Sequence, residues 1–383
     1  MENQLTSSEI VNLIKSVFQP GHNDKDFGIL IDLPDTSYPD TPAWKIRRQL
    51  AIQWAEILKT ARNELGFDQV NCYFYPNVHN NNADLPQTFY TCPQYPNQAE
   101  LSWIQHNGNQ ISLQQLCSQT QILLAPTQFS ATAPLKVLAK QYNFRAATMP
   151  GFSEKMIPAL RLDYSEINQR VHDLKDLLDP SEAVKIIFTV DDKLFECYFD
   201  LRFRQAHASG GRFPEPGIAG NLPSGECYIV PYEGELKAHS LSEGILPVQF
   251  GEEVVLYKIK KNKAVDILSE GSVSDQERIK IQREPAYANI AEIGFGILDD
   301  FGLTPIGEIL LDEKLGLHIA FGRSDHFGGA VGPKDFTTPD SVCHLDRIYL
   351  PQLQSRITVK TVDLIDNSGH VQRLMEDGQY TIF

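Results

Sequence analysis

Cysteine is scarce in this chain of 383 residues: six in all, at 72, 92, 117, 197, 227 and 343. No two stand in a CxxC pair, which excludes a cysteine zinc knuckle. Their scatter suits reduced, mostly buried thiols in a cytoplasmic protein. Basic residues are also in deficit, 34 Lys and Arg against 49 Asp and Glu, for a net charge of -15. An acidic surface repels phosphate backbones, so nucleic acid is not an expected partner. No apolar run is long enough to cross a bilayer, so no membrane association is expected. The opening MENQLTSSEI lacks the basic and apolar regions of a secretory signal. Internal repeats and low-complexity tracts are missing.

What is present reads as α/β. Thr6-Ser-Ser-Glu9 has the form of a capping box ahead of a short helix. Strand-like runs at 27–33, 70–75, 121–125 and 144–148 alternate with helical spacing at 44–65, closed by Gly66, and at 133–142. That rhythm predicts a mostly parallel sheet with covering helices. Residues 76–108 are polar and rich in Asn, Gln and Pro, and read as a long surface excursion. His79, at its start, reads as a solvated loop residue. A helix is expected over 163–178. Beyond it the texture turns strand-rich: 184–190 and 194–201 form a hairpin signal around Asp191-Asp192-Lys193, followed by 226–230, 254–259 and 264–268. The expected division is an N-terminal α/β domain, 1–180, and a strand-rich α+β C-terminal domain, 181–383.

Chemistry-bearing residues gather in the second half. On a strand, His344 and Asp346 in CHLDRI project from one face, because side chains alternate with a period of two. His318 lies in the apolar LGLHIAFG, where a buried imidazole needs partners at both nitrogens; a metal with a carbonyl is one solution and two carbonyls another. Glu292 stands in AEIGFG, an apolar stretch in which a lone carboxylate demands a cation or a donor. Glu226 follows the turn Asn221-Leu-Pro-Ser-Gly225. Three carboxylates and two imidazoles suit zinc, manganese or cobalt at a hydrolytic site. Five ligands fit two ions about 3.5–4 Å apart that share a carboxylate. Lys314, in Asp312-Glu313-Lys314, reads as part of a solvated turn. Arg202 and Arg204, alternating with Leu201 and Phe203, would share one strand face, either to hold a substrate carboxylate or to pair with acidic neighbours.

The order NLPSGE, AEIGFG, LLDEKLGLHIAFG, GG and HLD resembles the aminopeptidase T and aminopeptidase S type of metallo-aminopeptidase, over residues 200–350. The resemblance implies a catalytic C-terminal domain, a homodimer, and two divalent ions bound by Glu226, Glu292, His318, His344 and Asp346. One glutamate would bridge, and Glu226 or Glu292 would serve as base. Peptides or small amides with free N-termini would be the substrates. The chain departs from that pattern at Asp325, where the family has a tyrosine near the tetrahedral intermediate. His326 or Arg323 could donate to an oxyanion instead. The loop AVGPKDFTTPDS implies a changed substrate pocket. Two alternatives stand beside this reading. Ring-opening dihydroxypyridine dioxygenases look similar and use one iron held by two histidines and a carboxylate, but tend to have histidine where this chain has Glu292. A repurposed or non-catalytic member, for example in a specialised biosynthetic pathway, is the other.

Overall fold

A computed structural model describes residues 4–92 and 100–383. The chain forms two compact units, Met1–Asn168 with Gly211–Ser224, and Gln169–Gly210 with Gly225–Phe383. The first unit thus recruits a short segment from well beyond the expected boundary.

The first unit is a seven-stranded sheet with helices. Its order is Ala219–Asn221, Arg145–Thr148, Ile122–Ala125, Asp26–Leu33, Gln69–Pro76, Thr88–Thr91, Asn109–Ser112. The first five strands run parallel, and the last two pairings of the sheet are antiparallel. The central strand Asp26–Leu33 is buried almost throughout, as a parallel strand covered on both faces must be. The helix Pro42–Leu65 begins at the Thr41 cap and ends at Gly66, whose φ of 79° is the left-handed closure glycine allows. The Thr6–Glu9 capping box forms as expected. The polar stretch after residue 76 is more ordered than its composition suggests. It contributes the strand Thr88–Thr91, next to the sheet edge, and the helix Leu101–Asn107, while residues 93–99 lie outside the described ones. His79 is half exposed and pairs with Asp35 at 2.6 Å.

The second unit holds two antiparallel sheets. The larger, of eight strands, contains the expected hairpin, Ser181–Val190 with Lys193–Asp200. Asp191 and Asp192 take φ of 46° and 64° in its turn, the pair of positive angles that a tight two-residue hairpin needs. The smaller sheet has the order His344–Ile348, Leu317–Gly322, Ile290–Gly296, Glu226–Ile229, His207–Ser209. Its three inner strands are almost wholly buried. Among the described residues all six cysteines are free thiols, five of them buried.

One expectation fails here. Arg202 and Arg204 are not on a strand. The strand stops at Asp200, and Phe203 turns the chain with φ of 67°. Arg202 pairs with Asp200 at 2.7 Å and Arg204 with Glu235 at 2.5 Å.

Candidate metal centre

The small sheet builds the site by register. Gly294 lies opposite both Tyr228 and His318, Ala320 opposite both Glu292 and Asp346, and Gly322 opposite His344. Glu226, Tyr228, Glu292, His318, His344 and Asp346 consequently emerge on one face. Two glycines of AEIGFG make room for them. A Cβ on Gly294 would stand 1.9 Å from the His318 Nε2, and one on Gly296 would stand 2.3 Å from the Lys314 carbonyl carbon. Glycine is needed here for close approach rather than for an unusual backbone angle.

Five side chains singled out from the sequence meet in two overlapping groups. Ligand atoms of Glu226, Glu292 and His318 lie within 4.8 Å of one another, as do those of Glu292, His344 and Asp346. Glu292 belongs to both. Its Oε1 is 3.3 Å from the His318 Nε2, and its Oε2 is 3.2 Å from the His344 Nε2. The His318 Nε2 is also 3.6 Å from Glu226 Oε2, and the His344 Nε2 is 3.5 Å from Asp346 Oδ1.

Both imidazoles are anchored from behind. His318 Nδ1 faces the Gly316 carbonyl at 3.2 Å, and His344 Nδ1 faces the Arg323 carbonyl at 2.8 Å. A carbonyl only accepts, so each Nδ1 carries the proton and donates it. Each Nε2 is then presented toward carboxylate oxygens. This is the arrangement in which a backbone acceptor fixes the tautomer of a metal-binding histidine. A neutral imidazole would set its Nε2 lone pair against anionic oxygens, and that clash is relieved by a proton or by a cation. Without a cation the proton wins. Burial lowers the His318 pKa, but the Glu292 hydrogen bond and the Glu226 and Glu292 charges outweigh it and bring it to about 9. Burial likewise opposes ionisation of Glu292, and the two imidazoles overcome it, holding that carboxyl far below its ordinary value. Among the described residues the buried Glu226 Oε2 has no hydrogen-bond partner. An orphaned oxygen aimed at an Nε2 fits a cation better than any protein donor nearby.

Lys314 corrects the expected solvated turn. It is 1% exposed, and its Nζ binds Glu226 Oε1 and, at 2.5 Å, Glu313 Oε1. Glu313, passed over in the sequence, has its carboxyl pushed up to about 7, first by burial and then by the Glu226 and Asp346 charges, against the pull of Lys314. A carboxyl in that range exchanges protons near neutrality. The sequence signal was present, since DEK abuts the His318 strand, but charge clusters usually mark exposed turns.

His326 sits in the loop beyond the His318 strand, with its ring centroid 5.4 Å from that of His344. Burial and the nearby His344 and Arg323 charges lower its pKa to about 4, so it is neutral. Arg323 is committed to Asp325 at 2.5 Å. Glu233 ties this loop to the start of the Glu292 strand: it accepts from Asn289 and Ser324, each at 2.6 Å, and from the Ala330 amide. Arg204 adds a bond to the Gly328 carbonyl at 3.2 Å, so it supports the loop.

No family model and no curated protein sequence matches the chain. Solved structures do. The 2,5-dihydroxypyridine dioxygenase of Pseudomonas putida KT2440 is 15% identical with a TM-score of 0.61, covering 99% of each chain. AmpT of Thermus thermophilus is 13% identical with a TM-score of 0.55, covering 98% of each chain. At such identities the likeness establishes a shared mixed α/β fold. Both matches are to enzymes.

Proposed function

We propose that this chain is a metal-dependent exopeptidase that removes the N-terminal residue of peptides, working with two divalent cations that share Glu292. The observation that carries the reading is the Glu292 carboxylate, which turns one oxygen to each histidine. Glu226 Oε2, His318 and Glu292 Oε1 would hold one ion. Glu292 Oε2, His344 and Asp346 would hold the other. Zinc, cobalt and manganese all accept this mixture of imidazole and carboxylate. When bound, such ions polarise a carbonyl and make hydroxide available near neutral pH. The rest falls to the protein. Lys314 holds Glu226 and Glu313 in place. Glu226, with one oxygen on Lys314 and the other a ligand, gives up the role of base. Glu313 takes the proton of the attacking water and returns it to the leaving amine. His326 and Phe327 border the face over His344 and restrict what can approach. A homodimer, a peptide or small amide as substrate and a cytoplasmic setting belong to the same reading.

A second reading has a specific observation in its favour. Lys314 already neutralises part of Glu226, so one ion on Glu292, His344 and Asp346 would also satisfy the charges, and the dioxygenase shares the fold. Elemental analysis of the purified protein and its Glu292→Ala variant, with aminoacyl-amide hydrolysis on both, separates the two. About two ions per chain, lost together with hydrolysis in the variant, is the expected result. One iron without hydrolysis would replace this reading by the oxygenase, and a metal-free, inactive protein would remove both.

A further inference from the structure

We infer that Tyr228 is a catalytic residue: its phenol donates a hydrogen bond to the oxygen that gains negative charge when the substrate carbonyl becomes tetrahedral. The inference rests on the hydrolytic reading above. Hydrolysis adds water across a C–N bond, and the carbonyl oxygen is anionic midway, so a site needs a donor aimed at it. The polar groups around this centre are mostly acceptors, and apart from His326, whose ring lies edge-on to His344, the donors are spent. The two Nδ1–H groups donate to backbone carbonyls, Lys314 to Glu226 and Glu313, and Arg323 to Asp325.

Tyr228 differs. It follows Glu226 by two positions on the same strand and lies opposite Gly294, so its side chain shares the face of the metal-binding groups. Its ring is fixed between His207, stacked at 5.1 Å, and Phe327 at 4.8 Å, whose ring in turn packs 5.4 Å from His344. A ring clamped on two sides holds its hydroxyl in one place at little entropic cost. Among the described residues that hydroxyl has no hydrogen-bond partner. A phenol is protonated at neutral pH. It is thus a neutral donor beside two carboxylates that cannot themselves donate. Tyr228 keeps its proton throughout; the water supplies the oxygen of the new carboxylate and the proton that leaves with the amine.

The test is Tyr228→Phe, which keeps the ring packing and removes the hydroxyl alone. Ions per chain, thermal midpoint, kcat and KM for an aminoacyl anilide, and Kd for a phosphinic dipeptide mimicking the tetrahedral state are measured against wild type. Ion content and midpoint are expected to stay unchanged and KM to move little. The kcat is expected to fall about 100- to 1,000-fold, with phosphinate affinity falling while that for the product amino acid holds. Wild-type kcat and phosphinate affinity in the variant would overturn this assignment and leave the hydrolytic reading intact. Loss of ions or a lowered midpoint would make Tyr228 structural and also overturn it. A wild-type chain that binds no ions and cleaves nothing overturns both.

Discussion

Two buried carboxylates, one in each unit, stand in opposite surroundings. Asp32, 1% exposed on the central strand of the parallel sheet, is met by fixed donors: the Gln128 and Phe129 amides at 2.9 and 3.1 Å and the Trp44 indole at 3.1 Å. Glu292, 4% exposed on the small sheet, faces the Nε2 atoms of two histidines whose Nδ1 protons are held by backbone carbonyls. Burying a carboxylate costs free energy in either place. Asp32 has part of that cost offset by hydrogen bonds that fold with the chain and tie 128–129 to the sheet, although burial still holds its carboxyl above its ordinary value. Glu292 has no such fixed donors, and its surroundings are complete only when something positive arrives. The first is architecture and the second is the proposed binding site, although both are acids on apolar strands.

The largest expected separation comes from matched amides. Glu292→Gln should lose both ions and lower hydrolysis by about 10,000-fold, read by elemental analysis and single-turnover assays. If the variant keeps its ions, the contrast with Asp32 is void. Next, Gly294→Ala places a methyl where the His318 ring lies. Ion content should collapse, and a crystal structure should show the imidazole displaced. An unchanged ring position would mean that the sheet yields more than its packing implies. Lys314→Met strands Glu226 and Glu313 as unpaired buried acids. A loss of about 3–5 kcal/mol is expected in denaturant unfolding of the ion-free protein, and added divalent cation should restore part of it.

A pH experiment sharpens the same comparison. In the ion-free protein the His318 pKa rises from 6.5 to about 9. Its imidazolium therefore contributes stability in full below about pH 6.5, and that contribution is lost as pH climbs through about 9. Glu292 and Asp346 are shifted down, so theirs is present above their ordinary values and lost in acid. The thermal midpoint of chelator-treated protein should fall between pH 6.5 and 9, and saturating zinc should flatten that fall. A flat profile without metal would show that the histidines are not facing charged oxygens. The smallest change is Asp32→Asn, which turns an amide donor toward backbone donors. It should cost about 1–3 kcal/mol while leaving ion content and hydrolysis as in wild type.

Much of this was legible in the chain itself, because the relevant signals are local. Capping at Thr6, the helix closing at Gly66, the hairpin at Asp191-Asp192 and the common face of His344 and Asp346 each follow from a few neighbouring residues and a fixed period. Arg202 and Arg204 show where locality misleads: an alternating run reads as strand, yet Phe203 adopts a positive φ, and both guanidiniums turn to acidic partners. Composition and periodicity thus determined the α/β order, the five candidate ligands by type, and the reduced thiols. Only the tertiary structure decided that Glu292 is the shared carboxylate, that Lys314 is buried against Glu226, and that Tyr228 lies over the same face. Those relations depend on cross-strand register between segments tens of residues apart, and on the space two glycines leave open, neither of which is written in any one stretch of sequence.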